Sequence, residues 1–483
     1  KYVFLSRPRR FGKSVLCSTL KSYFEGRRDL FEGLAMEGLE TEWRKHPVLL
    51  ISLASMKAGT EKEFNDKINI QLTWLEEQYG VKRVNDTPGG RLENLIKQSP
   101  AKMGGEKAVV IIDEYDAPLL AVLHEPERLK EMRTTVRSLF SCLKDCDPWL
   151  RFTFITGISK FSQVSIFSEL NNLDKITMTP QYSTLCGITQ EELETQMMPW
   201  VEHLAHDLNL SIEEVLKKLK QNYDGYHFAH DLKDIYNPYS LLQAFMWSEI
   251  DDYWFDTGTP ASLLNMLEQF GMQVVNFDDG CQCEKREFDA PTEKMLTAMP
   301  FFYQSGYLTI KEYDSDMATY TLRYPNREVR NGMIDALIPY YLESNPINAK
   351  NIVADVYRAM RRDDLDEALQ VLKVYLAGIP YAENATSEGH FQTMLYVVFS
   401  LLGRYVQMEV RTAKGRIDMV LQRATDLYVM ELKIDRPARE ALEQIDTKDY
   451  LLPYTRSGLR LHKVGISFST EERTLDGWEI ADI

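Results

Sequence analysis

The sequence predicts an α/β protein in three parts: a parallel sheet at the N-terminal end, a mainly helical middle region and a separate C-terminal α/β domain. Over residues 1–190, short apolar runs alternate with helical stretches, which is typical of a parallel sheet with crossover helices. Residues 191–345 are mainly helical and rich in aromatic side chains, and residues 381–483 return to alternating strand and helix patterns. A chain of 483 residues is long enough for two or three domains, each with its own core.

The first strand of the predicted sheet leads into a glycine–lysine–serine sequence. The apolar run Tyr-Val-Phe-Leu is followed by Gly12, Lys13 and Ser14, and a helical stretch covers residues 15–24. In a phosphate-binding loop (P-loop) this order places backbone N–H groups, a lysine and a hydroxyl around a triphosphate. The first glycine of the full motif is replaced here by Arg7. The residues expected to bind ATP at this loop are Arg9, Arg10, Phe11, Gly12, Lys13 and Ser14.

Another apolar strand, residues 108–112, ends in the carboxylates of Asp113 and Glu114. A continuous apolar run suits a central parallel strand buried on both faces, and ligands bind at the C-terminal ends of such strands. Asp113 is therefore expected to bind Mg²⁺ together with Ser14, and Glu114 to be the general base that polarises the attacking water. A strand capped by solvated acids is the alternative for these residues alone, and the earlier Gly-Lys-Ser favours a nucleotide site.

A further strand over residues 151–156 ends at Gly157 and polar residues. In P-loop ATPases of the oligomeric class, a polar side chain on the strand beside the acidic one senses the γ-phosphate. Thr156 or Ser159 is expected to take this role. A plain strand end with a hydroxyl cap explains either residue equally well.

The other elements of the N-terminal part follow from periodicity and turn signals. Residues 47–53 form an apolar strand and residues 61–79 an amphipathic helix, while the glycine pairs 89–90 and 104–105 indicate loops. This order of strands and helices is that of a parallel sheet joined by crossover helices.

The middle region is expected to combine helices with one β-hairpin. Thr189 has the features of a helix N-cap, and residues 301–311 and 318–324 are predicted to form the hairpin. Two turn-rich aromatic clusters, residues 223–228 and 236–241, are expected to pack a lid against the core in preference to stacking on an adenine.

After a predicted helical linker at residues 346–380, the domain at 381–483 contains an acidic hairpin. Asp418 precedes one strand, and Glu431 and Lys433 end the next. Side chains alternate along a strand, so Glu431 and Lys433 share a face, and an antiparallel hairpin brings Asp418 opposite Glu431. Two carboxylates around a divalent metal, with a lysine beside them, form a centre that cleaves phosphodiesters.

Two helices flank this hairpin in the sequence. Glu388 opens the first helix and is expected to supply a third carboxylate to the metal. Gln444 lies on the second helix and is expected to contact a metal-bound water or the nucleic-acid backbone. Glu-x-Lys by itself is a common tripeptide of exposed strands, whereas the ordered helix–strand–strand–helix set favours a restriction-endonuclease-like fold with Mg²⁺ or Mn²⁺.

Composition argues against several other classes of protein. The net charge of −16 argues against a surface built for nonspecific nucleic-acid binding, although a local basic groove stays open. The sequence has no apolar run of about 18 residues and no visible signal peptide, so we expect no membrane span. Six cysteines at irregular spacing fit a cytoplasmic protein, and the pairs Cys142/Cys146 and Cys281/Cys283 lack the partners of a zinc site. Lys1 falls inside the first strand, so a native segment is expected to precede it.

Both sets of motifs resemble those of bacterial AAA-ATPase-like proteins that carry a C-terminal PD-(D/E)XK nuclease-superfamily domain. The matching strings are residues 4–14, 112–118, 154–161, 165–172, 223–228, 236–239, 304–308, 415–418 and 431–433. In that family an arginine at the position of Arg7 is normal. The resemblance implies an AAA-like P-loop NTPase core at 1–190, a lid at 191–345 and a nuclease-like domain at 381–483. It brings no known substrate.

The sequence therefore favours an ATP- and Mg²⁺-dependent nuclease that acts on DNA in preference to RNA, with a role in defence or mobile-element biology by analogy of fold alone. The alternative is a nucleotide-switched binding or signalling ATPase whose nuclease-like domain recognises nucleic acid without cutting it. The acidic composition favours the alternative, while the intact set of Asp418, Glu431 and Lys433 favours the enzyme. A homo-oligomer is expected from the class, and no residue can be named as its arginine finger.

Overall fold

The structure is a computed structural model that divides into two compact units. The first unit comprises Lys1–Trp254 and Gln282–Asn326, and the second comprises Phe255–Cys281 and Arg327–Ile483. The structure describes all residues except 57–59, 124, 160–166, 168–169, 171, 255–276, 278–279, 290–296, 342–354, 357, 361, 363, 378–404, 413, 423–424, 473 and 483. Glu388 therefore lies outside the described residues.

The elements below are numbered along the described residues. The strands are β1 (Tyr2–Ser6), β2 (Val48–Ser52), β3 (Ala108–Asp113), β4 (Leu150–Gly157), β5 (Leu173–Lys175), β6 (Cys281–Glu284), β7 (Thr309–Asp314), β8 (Thr319–Arg323), β9 (Tyr405–Thr412), β10 (Gly415–Gln422), β11 (Asp426–Ile434), β12 (Arg460–Ser469) and β13 (Thr474–Asp482). The helices are α1 (Lys13–Phe24), α2 (Ala35–Leu39), α3 (Glu61–Tyr79), α4 (Pro88–Lys102), α5 (Ala117–Leu120), α6 (Pro126–Phe140), α7 (Cys142–Asp145), α8 (Gln190–Gln196), α9 (Met198–Leu208), α10 (Ile212–Tyr223), α11 (Pro238–Trp247), α12 (Met299–Ser305), α13 (Arg327–Tyr341), α14 (Leu365–Ala377) and α15 (Ala438–Thr447). Short 3₁₀ helices cover Arg28–Phe31, Asp147–Trp149, Pro180–Tyr182, Lys285–Asp289 and Leu452–Tyr454.

The N-terminal sheet is parallel and has the order β2-β3-β4-β1-β5. All residues of β3 are buried, as expected for an apolar strand covered on both faces. Because β4 lies between β1 and β3, the strand predicted to sense phosphate is the direct neighbour of the acidic strand. The predicted α/β class is confirmed, with the end of β1, the end of β4 and the end of β3 at one edge of the sheet.

Two glycines predicted to mark a loop, Gly89 and Gly90, instead lie in the first turn of α4, whose N-cap is Thr87. A Cβ on Gly89 would come 2.6 Å from the carbonyl oxygen of Ser138 on α6, so this position permits a close approach of two helices. The predicted loop at residues 89–90 was therefore wrong: Gly89 is needed for the close packing of two helices and does not form a turn. Residues 104–105 do lie in a turn.

The middle region is helical around one small sheet. Thr189 caps α8 through a capping box with Glu192. Strands β7 and β8 form the predicted hairpin, and β6 joins it as a third strand. The first part of the predicted hairpin is wrong, because residues 299–305 form α12. Pro300 suits the first turn of that helix, and Gly306, with φ of 92°, ends it.

The second unit contains a mixed sheet in the order β13-β12-β11-β10-β9. Strands β9, β10 and β11 are antiparallel neighbours, β11 and β12 are parallel, and α15 connects that parallel pair. Helix α14, in the stretch predicted as a linker, is tied to β13, since Thr474 Oγ1 donates to the carbonyl of Lys373 at 2.8 Å. Among the helices of the described ranges, none has both the length and the apolarity needed to cross a bilayer.

Candidate nucleotide and metal sites

The loop between β1 and α1 is shaped by left-handed backbone at Arg10 (φ 66°) and Gly12 (φ 72°). Gly12 is the N-cap of α1, so the free N–H groups of the first helical turn face the loop. The Lys13 ammonium is buried and donates to the carbonyl oxygens of Arg7 (3.1 Å) and Pro8 (2.9 Å). The loop thus holds a lysine charge and helix N–H donors at the edge of the sheet where the acids end.

Lys13 and Glu114 influence each other across this edge. Burial lowers the pKa of Lys13, and the carboxylates of Glu114, Asp116 and Asp113 act against that shift. Burial raises the pKa of the half-buried Glu114, while Lys13 acts to lower it. A carboxylate whose pKa is raised towards neutrality is a better general base than an ordinary surface glutamate.

Ser14 and Asp113 form the pair expected to hold Mg²⁺. Ser14 Oγ donates to Asp113 Oδ2 at 2.7 Å, which joins the first turn of α1 to the end of β3. Asp113 is buried, and its Oδ1 has no hydrogen bond among the described residues. A buried carboxylate oxygen without a partner is costly, and a hydrated divalent cation would satisfy it. The donor set therefore fits Mg²⁺.

The structure separates the two candidates for the phosphate-sensing hydroxyl. Thr156 is fully buried at the end of β4, and its Oγ1 makes no hydrogen bond within the described part of the chain. Ser159 Oγ donates to Asp116 Oδ2 at 2.5 Å and is therefore engaged. Thr156 has the available hydroxyl, so it suits the sensing role better than Ser159.

Sequence reasoning gave no role to Asp116, which the structure places at the centre of the turn after β3. Its buried carboxylate accepts the backbone N–H groups of Ile158 (3.1 Å) and Ser159 (2.6 Å). A Cβ on Gly157 would lie 2.4 Å from Asp116 Oδ1, so only glycine fits there. Asp116 thereby fixes the end of β4 against the acidic turn. Its position two residues after Glu114 was the available signal.

The side chain of Phe11, one of the residues expected to bind ATP, packs inside the protein. It is fully buried and packs edge-on against Tyr226 (4.8 Å between ring centroids) and Phe228 (5.2 Å). The ring is therefore engaged in packing within the protein. The aromatic cluster at 223–228 therefore packs the middle region onto the loop, which is the use predicted for it.

Arg7, at the position of the first motif glycine, is a structural side chain. It is 1% exposed and donates to the carbonyl oxygens of Thr177 (2.8 Å), Tyr182 (2.7 Å) and Leu185 (3.1 Å). Its guanidinium also lies 4.2 Å from the Phe228 ring centroid. Burial lowers the pKa of Arg7 to about 10. These bonds tie the start of the loop to the segment after β5.

In the second unit, the hairpin of β10 and β11 brings two carboxylates together. Met419 pairs with Met430, and continuing that register puts Asp418 opposite Glu431. Both side chains are buried, and Asp418 Oδ2 accepts the Leu432 N–H at 2.8 Å. The hairpin geometry predicted for these acids is therefore present.

Lys433 and Gln444 complete the cluster. Lys433 Nζ lies 3.7 Å from Glu431 Oε1 and donates to Gln444 Oε1 at 2.7 Å. Gln444 Nε2 in turn donates to Glu431 Oε1. The helix α15, which packs on β11 and β12, positions Gln444. Four of the five predicted residues thus meet, and Glu388 lies outside the described residues.

A divalent cation suits this cluster on grounds of its donor atoms. Asp418 and Glu431 are two buried carboxylates on neighbouring antiparallel strands, with the Lys433 ammonium 3.7 Å from Glu431. Oxygen donors of this kind are ligands for Mg²⁺ and Mn²⁺. Within the described residues no three His, Cys, Asp or Glu side chains form a metal-binding group.

Tyr450 belongs to the same cluster and was given no role from the sequence. Burial raises the pKa of its phenol, a hydrogen bond with Gln444 lowers it, and the carboxylate of Glu431 raises it further. A Cβ on Gly415 would lie 2.7 Å from the Tyr450 hydroxyl, which explains the glycine at the start of β10. The tyrosine after the helix of Gln444 was the signal for it.

The two ends of the chain match different protein families. A family described as "Predicted AAA-ATPase" matches residues 1–167, and the PD-(D/E)XK nuclease superfamily matches residues 386–478. The chain is 34% identical over 496 residues to "Uncharacterized protein in vnfD 5'region" of Azotobacter chroococcum mcd 1. The aligned region covers 100% of the chain and 92% of that protein. No solved structure matches the chain. The chain therefore belongs to the AAA-ATPase-like proteins that carry a PD-(D/E)XK nuclease-superfamily domain at their C-terminal end.

Proposed function

We propose that the first unit binds and hydrolyses ATP. The observation that carries this proposal is the 2.7 Å hydrogen bond from Ser14 Oγ to the buried carboxylate of Asp113, whose other oxygen has no hydrogen bond among the described residues. Lys13 offsets phosphate charge, Ser14 and Asp113 hold Mg²⁺, and Glu114 accepts a proton from the attacking water. Mg²⁺, when held by Ser14 and Asp113, would neutralise charge on the phosphates.

The hydrolytic step follows from these positions. A water oxygen forms a bond to the γ-phosphorus, and the bond from that phosphorus to the β–γ bridging oxygen breaks. ADP leaves with the electron pair of that bond, and Glu114 takes the water proton. Thr156, buried at the end of β4, is proposed to donate its hydroxyl to the γ-phosphate.

The first test compares wild type with Lys13→Ala. The substitution removes the charge that is proposed to face the phosphates, so ATP turnover and ATP affinity are expected to fall sharply. Circular dichroism checks that the variant stays folded, because Lys13 is buried and its bonds to the Arg7 and Pro8 carbonyls are lost as well. Lys21→Ala, on the last turn of the same helix, is the matched control and is expected to keep wild-type turnover. Unchanged turnover and affinity in Lys13→Ala would contradict the assignment of the loop.

We propose that the second unit is a metal-dependent phosphodiesterase acting on DNA, and that the nucleotide state of the first unit controls it. Asp418 and Glu431 are the proposed metal ligands, and Glu388 is the proposed third ligand. Lys433 is proposed to orient the nucleophile or stabilise charge on the phosphorane, and Gln444 to hold Lys433 and Glu431 in place. Defence against foreign DNA or a role in mobile elements would suit such a pairing.

The second test compares wild type with Asp418→Asn and Glu431→Gln in Mg²⁺ and in Mn²⁺. Both amides keep the volume of the acid and remove its charge, so metal-dependent cleavage is expected to disappear with the fold intact. Full cleavage by both variants would place the cutting centre elsewhere.

The second candidate function is a nucleotide-switched ATPase whose nuclease-like domain binds nucleic acid without cutting. The net charge of −16 favours it, because an acidic chain is less suited to holding a nucleic-acid substrate for cleavage. Retention of DNA by a chain that never cuts it in either metal would select this function.

A further inference from the structure

The phosphate loop contains three arginines, and the structure gives each a different environment. Arg7 is buried, and its guanidinium donates hydrogen bonds to backbone carbonyls. Arg10 is stacked, since its guanidinium carbon lies 3.6 Å from the ring centroid of Tyr239. Neither guanidinium can turn to a phosphate without giving up these contacts.

Arg9 differs from both. It is exposed, and within the described residues its guanidinium takes part in no hydrogen bond or ion pair. Its backbone is nevertheless fixed, because Trp254 Nε1 donates to the Arg9 carbonyl at 3.4 Å. A held backbone with an unengaged guanidinium is the arrangement of a side chain that awaits an anionic partner.

The location of Arg9 in the loop is also specific. Arg9 follows Pro8, whose carbonyl oxygen accepts from Lys13 Nζ at 2.9 Å, and precedes Arg10, whose left-handed backbone (φ 66°) turns the loop. The exposed guanidinium of Arg9 therefore leaves the loop beside the lysine that is proposed to face the phosphates.

We propose that Arg9 is a catalytic residue that contacts the γ-phosphate of ATP within its own chain and stabilises the charge that develops during hydrolysis. This inference rests on the proposed ATPase function. Charge on the transferred phosphoryl group spreads over its outer oxygens, and a guanidinium offers a planar set of donors to them. An arginine in this role raises turnover by about 10³- to 10⁵-fold in phosphoryl-transfer enzymes.

The experiment measures ATP turnover and the affinities for ADP and for a slowly hydrolysed ATP analogue in wild type, Arg9→Ala and Arg9→Lys. Arg9→Ala is expected to lose about 10³-fold in kcat while its ADP affinity stays within about threefold of wild type. Arg9→Lys keeps the charge without the planar donors, so its kcat is expected to lie between those of wild type and Arg9→Ala. Lys21→Ala serves as the charge-removal control on α1.

A mixing experiment separates action within one chain from action on a neighbour. Arg9→Ala chains, whose Lys13 is intact, are mixed with Lys13→Ala chains, whose Arg9 is intact. Action within the chain predicts no restored turnover, whereas restored turnover would show that Arg9 serves a neighbouring site and would overturn the inference.

Two further results would overturn it. Arg9→Ala turnover within about threefold of an active wild type would show that the guanidinium is a solvated surface group. An equal loss of ADP affinity and turnover would make Arg9 a general phosphate anchor. If wild type hydrolyses no ATP, the proposed ATPase function itself is contradicted. If wild type and the Arg9 variant are both active, only the role of Arg9 is contradicted.

Discussion

At the scale of single residues, Asp113 and Thr156 place buried oxygens without hydrogen bonds beside the phosphate loop of the described chain. Burying such atoms costs stability, so their position at the ends of β3 and β4 is best explained by a ligand that completes them. The motif search found both residues. The contacts of Arg7 and Asp116 could not be found that way, because their partners come from distant parts of the sequence.

Thr156→Val tests the sensing hydroxyl. Valine has nearly the same shape and lacks the donor, so ATP turnover is expected to fall about 10²-fold with little change in ATP affinity. Thr153→Val is the matched control, since Thr153 is also buried in β4 with an unsatisfied hydroxyl but lies further from the loop. Equal turnover in the two variants, measured under saturating ATP, would remove Thr156 from the mechanism.

The buried carboxyl of Asp224 is expected to make the unfolding free energy depend on pH. It is 2% exposed, and burial raises its pKa from 3.8 to about 6, although the backbone N–H of Gly225 and the Lys220 ammonium, 3.8 Å from Oδ2, act to lower it. A raised pKa in the folded state means that protonation stabilises the fold. That contribution is complete below pH 3.8 and is lost as the pH rises through 6.

Asp224→Asn removes this titration. Above pH 6 the variant is expected to be more stable than wild type, by at most about 3 kcal/mol, and to lose the slope of stability between pH 4 and 6. Denaturant unfolding across that range measures both quantities. A slope identical to that of wild type would show that the carboxyl does not titrate there.

At the scale of elements, periodic signals predicted more than local residue types did. The bounds of α3 were predicted correctly, because its apolar spacing and its termini agree, with Thr60 as N-cap and Gly80 as a left-handed C-cap. Residues 301–305 were misassigned as strand, since aromatic residues suit a strand as well as a buried helix. Whether a segment near a proline is helical depends on tertiary packing that its sequence does not encode locally.

Gly89→Ala tests the close approach of α4 and α6. Its Cβ would meet the Ser138 carbonyl oxygen at 2.6 Å, so backbone must shift and the unfolding free energy is expected to drop by about 1–3 kcal/mol. Gly38→Ala, within α2 and with no atom within 4 Å of the added Cβ, is the control and is expected to be neutral or stabilising. A Gly89→Ala variant as stable as wild type in denaturant unfolding would show that the helices can separate without cost.

At the scale of the whole molecule, the chain joins an AAA-ATPase-like domain to a PD-(D/E)XK nuclease-superfamily domain, and the sequence predicted both. The predicted site residues cluster at two places, each with buried carboxylates that suit a divalent cation. The biological substrate does not follow from either cluster, because metal-assisted phosphodiester chemistry is common to many nucleic acids. We propose that nucleotide turnover at the first cluster controls cleavage at the second.

The most direct test is cleavage of linear and supercoiled DNA in Mg²⁺ or Mn²⁺, with and without ATP, by wild type, Lys433→Ala and Lys13→Ala. We expect wild type to cut, Lys433→Ala to be inactive, and ATP to change the cleavage rate of wild type but not that of Lys13→Ala. Cleavage by Lys433→Ala at the wild-type rate would contradict the proposed cleavage site. An identical response of wild type and Lys13→Ala to ATP would contradict the proposed coupling.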